Sequence, residues 1–101
     1  MISMYPACFY KTKDGYYIVF PVLDIATCGY NEQDAKIMAM DCLANYLYDA
    51  NVNNKHVPHA PVLEDIDLKS VANHDNVEYE SAFIMQVCID VEKYAKKHFK
   101  L

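Results

Sequence analysis

The sequence predicts an α+β domain in two layers, a β-β-β-α-β chain whose twisted sheet carries one long helix on one face. Three observations predict it. Aromatic and β-branched residues crowd the chain on either side of Asp14-Gly15, a dipeptide that signals a hairpin. The stretch 31–51 repeats apolar side chains at three- and four-residue steps, the period of an α-helix. Phe83, Ile84, Met85, Val87 and Ile89 form a late apolar run, suited to a strand lying inside the sheet.

Each element follows in order. Met4 to Thr12, with Tyr5, Phe9 and Tyr10, is the expected first strand, and Pro6 confines its early part to a strand end or an unpaired side. Asp14-Gly15 between Lys13 and Tyr16 fits a two-residue type I′ turn into a second strand, Tyr16 to Phe20, which Pro21 ends. Ile25 to Gly29 is a shorter third strand. Asn31 then offers an N-cap to a helix running to Asn51, with Glu32 and Asp34 where the helix dipole favours negative charge. Ala35, Met38, Ala39, Cys42, Leu43, Tyr46, Leu47 and Ala50 form its core face. Ile37, Met40, Ala44 and Tyr48 form a second stripe turned away from that face, with Gln33, Asp41 and Asn45 between them. An exposed apolar stripe of this kind marks an interaction surface.

The Asn51, Asn53, Asn54 cluster ends the helix. The long connection to Val77 contains Pro58 and Pro61 and predicts no regular element beyond a short piece near Leu63 to Leu68. Such a connection is either functional or a strap across the sheet. Val77 to Val91 is the expected last strand, which the helical crossover leaves free to pair parallel to an earlier one. A short helix or tail from Val91 to Leu101 closes the chain.

Composition narrows the function. At 101 residues the chain is one expected domain, long enough to fold without metal or disulfide. Cys8, Cys28, Cys42 and Cys88 form no Cys-x-x-Cys pair and follow no secretory signal, which predicts a reducing cytoplasm. No apolar run approaches the roughly 20 residues of a membrane span. The net charge of -5 arises from fourteen acids against nine lysines, with no arginine. Arginine is the usual reader of guanine edges and phosphate. Acids gather between Ala60 and Glu80, whereas Lys93, Lys96, Lys97 and Lys100 gather in the tail. An acidic body favours basic partners over nucleic acid.

No catalytic residue, metal site or cofactor is expected. His56 and His59 lie on a proline-containing loop with no cysteine nearby, which suits a solvated pair better than metal ligands. Cys28 beside Gly29 has no local motif to make it a nucleophile. Two glycines, Gly15 and Gly29, cannot build a phosphate loop. The aromatic first hairpin lacks the basic groove of a nucleic-acid stacking platform.

The linear order of short motifs nevertheless resembles a family. Tyr5-Pro6-Ala7 with Phe9, then Asp14-Gly15-Tyr16, Val19-Phe20-Pro21, Asp24-Ile25-Ala26-Thr27 with Gly29, Glu32 to Ala35, Pro58 to Leu63 and Ile89 to Tyr94 together resemble the N-terminal domain of HicB-type antitoxins. The resemblance covers nearly the whole chain. It implies a partial ribonuclease H-like sheet without a catalytic role, three antiparallel strands with a fourth parallel to the first. It also implies a partner, a small basic HicA-type toxin that cleaves mRNA and is neutralised by binding.

Val22 and Tyr30 stand where an aspartate is common in that family. The family usually continues into a DNA-binding segment, which the expected single domain, 1–101, lacks; DNA is therefore not an expected partner of this segment. Asp24, Glu32, Asp34, Ile37, Met40, Ala44 and Tyr48 are the candidate partner-binding residues. The alternatives are a stand-alone homo-oligomer using the same stripe as its seam, a transcriptional co-regulator, and a residual nuclease built on Asp24, Glu32 and Asp34.

Overall fold

The computed structural model describes residues 2–99. Met1, Lys100 and Leu101 lie outside the described residues, and with them the end of the expected closing element and basic tail. The elements are β1 (Ile2–Thr12), β2 (Gly15–Phe20), β3 (Ile25–Gly29), α1 (Glu32–Val52), a 3-10 turn (Leu63–Asp65), α2 (Leu68–His74), β4 (Ser81–Asp90) and α3 (Val91–His98). The sheet order is β3-β2-β1-β4, and all its neighbours are antiparallel.

β1 and β2 join through a tight turn, as the sequence predicts, but its tip lies one residue earlier than expected. Thr12 pairs with Gly15, which leaves Lys13 and Asp14 as the turn and Gly15 in the strand. Only Gly15, at φ +146, has a positive φ there, so the turn is not type I′. Pro6 lies inside β1 opposite Gln86. The β1–β2 register begins at Cys8, leaving Pro6 in the half of β1 that has no β2 neighbour, where a residue without an N–H is tolerated.

The turn from β2 to β3 closes with the Asp24 N–H donating to the Phe20 carbonyl at 3.2 Å. It places Val22 at φ 77 and Asp24 at φ 56. A β-branched residue in the left-handed region is strained, whereas aspartate and asparagine enter it more readily. Valine here therefore occupies a backbone position better suited to the aspartate of the resembling family. Val22 is also 54% exposed, so little packing is lost on replacement. Val22→Asn is expected to raise the unfolding free energy by about 1 kcal/mol, read as an increased urea midpoint; an unchanged or lowered midpoint would show that Val22 is unstrained.

α1 forms where expected. The Asn31 side chain accepts from the Asp34 N–H at 2.8 Å, and the Asp34 carboxylate accepts in return from the Tyr30 N–H at 2.9 Å. These bonds satisfy donors that a helix start leaves open. Ala35, Ala39, Leu43 and Leu47 press on Ala7, Phe9, Ile18 and Phe20 of the sheet, with Val87 and Ile89 of β4 beside them. Met38, Cys42 and Tyr46 are only half-buried at the flank of this face.

The fourth strand corrects the expectation of a parallel crossover: β4 runs antiparallel to β1, from Lys11↔Ser81 to Ile2↔Asp90. The connection explains why. A direct return from α1 would start β4 at the Ile2 end of β1, but the chain first travels the length of the sheet. Near the start of β1 the Tyr5 hydroxyl donates to the Pro58 carbonyl at 2.7 Å. Further along, the Tyr10 hydroxyl donates to Leu68 at 2.6 Å, and at the far end the Glu80 N–H donates to Lys11 at 2.7 Å. β4 therefore begins at the Lys11 end.

The same path makes the connection a strap. Val57 packs with the α1 side of the sheet, whereas Ile66, Leu68 and Val71 pack with Cys8, Tyr10, Val19 and Ala72 on the other. α2, which the sequence reading omits, thus partly covers the second face. Its start is held by Asp67, whose carboxylate accepts from the Ser70 hydroxyl and the Lys69 N–H; these bonds keep the acid below its ordinary pKa. The last strand is also shorter than expected, since 77–80 belong to the strap.

Candidate protein-binding surface

The back stripe of α1 is the first candidate, and the structure divides it. Ile37 and Met40 are 56% and 38% exposed. Ala44 is fully buried, and Tyr48 is half-buried against the core, which corrects the expectation of a four-residue exposed stripe. The reason is α3. Its Tyr94 hydroxyl donates to the Asp41 carboxylate at 3.1 Å, and Phe99 just beyond it meets the Tyr48 ring at 5.3 Å between centroids. The closing helix therefore covers the second half of the stripe, which α1's own periodicity does not reveal.

The candidate carboxylates are also separated. Asp24 precedes β3, while Glu32 and Asp34 follow it, so five strand residues, about 16 Å of rise, lie between them. Asp34 completes the helix cap, and Glu32 pairs with Lys36 at 3.2 Å. The three acids of a nuclease reading are thus not gathered, and the described residues contain no group of three His, Cys, Asp or Glu able to hold a metal ion.

A different surface emerges where the hairpin, the end of β3, the start of α1 and the strap converge. A groove of about 650 Å³ there is lined by Asp14, Asp34, Asp75 and Glu78 together with Tyr16, Tyr17 and Tyr30, and by no lysine. Tyr30 is 88% exposed. Asp75 accepts from the Tyr17 hydroxyl at 3.0 Å and meets the His74 Nδ1 at 3.0 Å. That contact raises the His74 pKa, so a proton on the imidazole is favoured beside the carboxylate. Asp14 and Glu78 form no ion pair among the described residues. Carboxylates interleaved with aromatic faces suit a cationic group, above all a guanidinium, which pairs with the acids and stacks on the rings.

Sequence reasoning missed this groove because its acids come from separate segments of the chain. The available signal was the acid-rich stretch before Glu80, which supplies Asp75 and Glu78. Cys28 also lines the groove. All four cysteines are free thiols, and no described helix is long and apolar enough to cross a membrane.

A chain of a solved toxin–antitoxin complex from Streptococcus pneumoniae is similar to this protein, at a TM-score of 0.78 and 23% identity, over 93% of this chain and 73% of that one. The two chains share a fold. No protein-family model matches the sequence, and no curated protein matches it.

Proposed function

We propose that this protein is an antitoxin-like, non-catalytic binding module of the HicB type, acting in the cytoplasm, that binds and neutralises a small basic HicA-type toxin that cleaves mRNA. The observation that carries the reading is the likeness, along 93% of the chain, to a chain of a toxin–antitoxin complex. The ordered motifs from Tyr5 to Tyr94 support the HicB assignment. The arginine-free, acidic composition and the groove of acids and tyrosines support a basic protein as the partner. In this reading the groove attracts and orients the toxin, while Ile37 and Met40 on the first half of α1 supply apolar burial. A fully buried large side chain contributes roughly 1.5 to 3 kcal/mol. Glu32 and Asp34 add negative charge at that helix start. Asp24 lies at the other end of β3 and contributes at most long-range field.

The test expresses a short basic reading frame sought beside this gene and measures cleavage of mRNA by its product. An equimolar amount of this protein is expected to suppress cleavage; cleavage unaffected by excess protein would overturn the reading. Asp14→Lys with Glu78→Lys is expected to weaken binding at least about tenfold, mostly through slower association that adding salt no longer reduces as steeply. Unchanged affinity would move the contact away from the groove without affecting the assignment.

A further inference from the structure

The sheet has two edges, and they are defended differently. β3 is five residues long and ends beside α1, the short edge that resists pairing with other chains. β4 is ten residues long, and its sequence, SAFIMQVCID, contains no lysine, proline or glycine. Its register with β1 runs without a bulge from Lys11↔Ser81 to Ile2↔Asp90. On its other side it faces no strand among the described residues. Ala82 to Gln86 all keep partial exposure, whereas Pro6 to Tyr10 beside them are buried. A long, regular, apolar edge without these protective devices is a template for another strand.

We propose that β4 is the seam of a homodimer, in which the β4 strands of two copies pair antiparallel about a two-fold axis at Met85 and join the two sheets into one. This inference does not depend on toxin binding. The occupant is argued from the strand itself. A two-fold axis perpendicular to the sheet keeps its faces in common, so on the α1 side Met85 meets Met85 and Phe83 meets Val87 of the other copy, while on the α2 side Ile84 meets Gln86 and Ala82 meets Cys88.

The charges flanking the strand also complement one another. The chain enters β4 past Glu78 and Glu80 and leaves it at the start of α3, where Lys93, Lys96 and Lys97 outnumber Asp90 and Glu92. Antiparallel pairing brings the acidic entry of each copy to the basic helix of the other, twice per dimer; parallel pairing would set like ends together.

Sedimentation of the native chain from low micromolar to high micromolar concentration, with amide hydrogen exchange on the same samples, tests the proposal. A monomer–dimer equilibrium is expected, with protection of β4 amides rising with concentration and that of β3 amides unchanged. Met85→Lys is expected to raise the dimer dissociation constant at least about tenfold, because the axis places two copies of the charge close together. Ile37→Lys with Met40→Lys is expected to leave it unaltered. If Met85→Lys fails to fold, exchange of the native chain still decides. A monomer at every concentration, a dimer whose β4 protection does not change with concentration, or a dimer abolished by the Ile37 and Met40 substitutions would each overturn the seam.

Discussion

Phe9→Ala is expected to lower the unfolding free energy by about 3 to 5 kcal/mol, a large share of the roughly 5 to 15 kcal/mol that holds a domain of this size together. Phe9 is completely buried at the centre of β1. Its ring lies flat on Phe83 of β4, with centroids 4.9 Å apart and planes within 5°. Truncation removes three things together: apolar area withdrawn from water, the stacked contact across the strands, and the volume that keeps α1 seated on the sheet. Neither Ala35 nor Ala39 above it can expand into the gap. In urea, at a typical slope of about 1 to 3 kcal/mol per molar, the midpoint should fall by roughly 2 M. Phe83→Ala, on a half-buried residue of the edge strand, should cost clearly less. Equal losses at the two positions would mean that β1 is not the centre of the core.

The elements legible in the sequence are those written locally. The hairpin depends on a few adjacent residues, and α1 declares itself through its cap and its period, so both lie close to where the sequence puts them. The orientation of β4 could not be read that way, because it is fixed by where the strap ends. The strap's course depends on hydrogen bonds such as Tyr10 to Leu68 and Glu80 to Lys11, which join residues far apart in sequence. α2 escaped notice because a seven-residue helix with few apolar positions has too little pattern to stand out beside the prolines before it.

The candidate surface shows the same division. Ile37 and Met40 are where a helical wheel leaves them, exposed on α1. Ala44 and Tyr48 lie on the same wheel stripe, yet α3 packs over that half. A helix's own sequence gives the angle between its faces but not how many other elements cover them. The groove is harder still to foresee: Asp14 comes from the hairpin tip, Asp34 from the helix cap, and Asp75 and Glu78 from the strap, and only the antiparallel return of the chain to the Lys11 end gathers them.

Gly29→Val is expected to cost about 3 kcal/mol, at the upper end for overpacking, and to loosen the start of α1. A Cβ on Gly29 would lie 2.6 Å from both the Cα and the N of Ala35, closer than real Cβ atoms come. Those atoms belong to the first turn of α1, which is held by the Asn31 and Asp34 bonds, so relief requires moving the helix rather than turning a side chain. This identifies the control. Ala35→Gly removes only the Ala35 Cβ, which lies farther off at 3.1 Å, and leaves the two backbone atoms in place. The double variant should therefore recover little of the loss, and it adds the roughly 1 kcal/mol cost of glycine within a helix. Substantial recovery of the urea midpoint would instead place the obstruction at the Ala35 methyl group. Because Asp34 and Tyr30 flank this contact and line the acidic groove, Gly29→Val should also weaken the proposed toxin binding even under conditions where the variant remains folded. A folded variant that keeps full affinity would show that the proposed binding surface does not depend on how α1 is seated against β3.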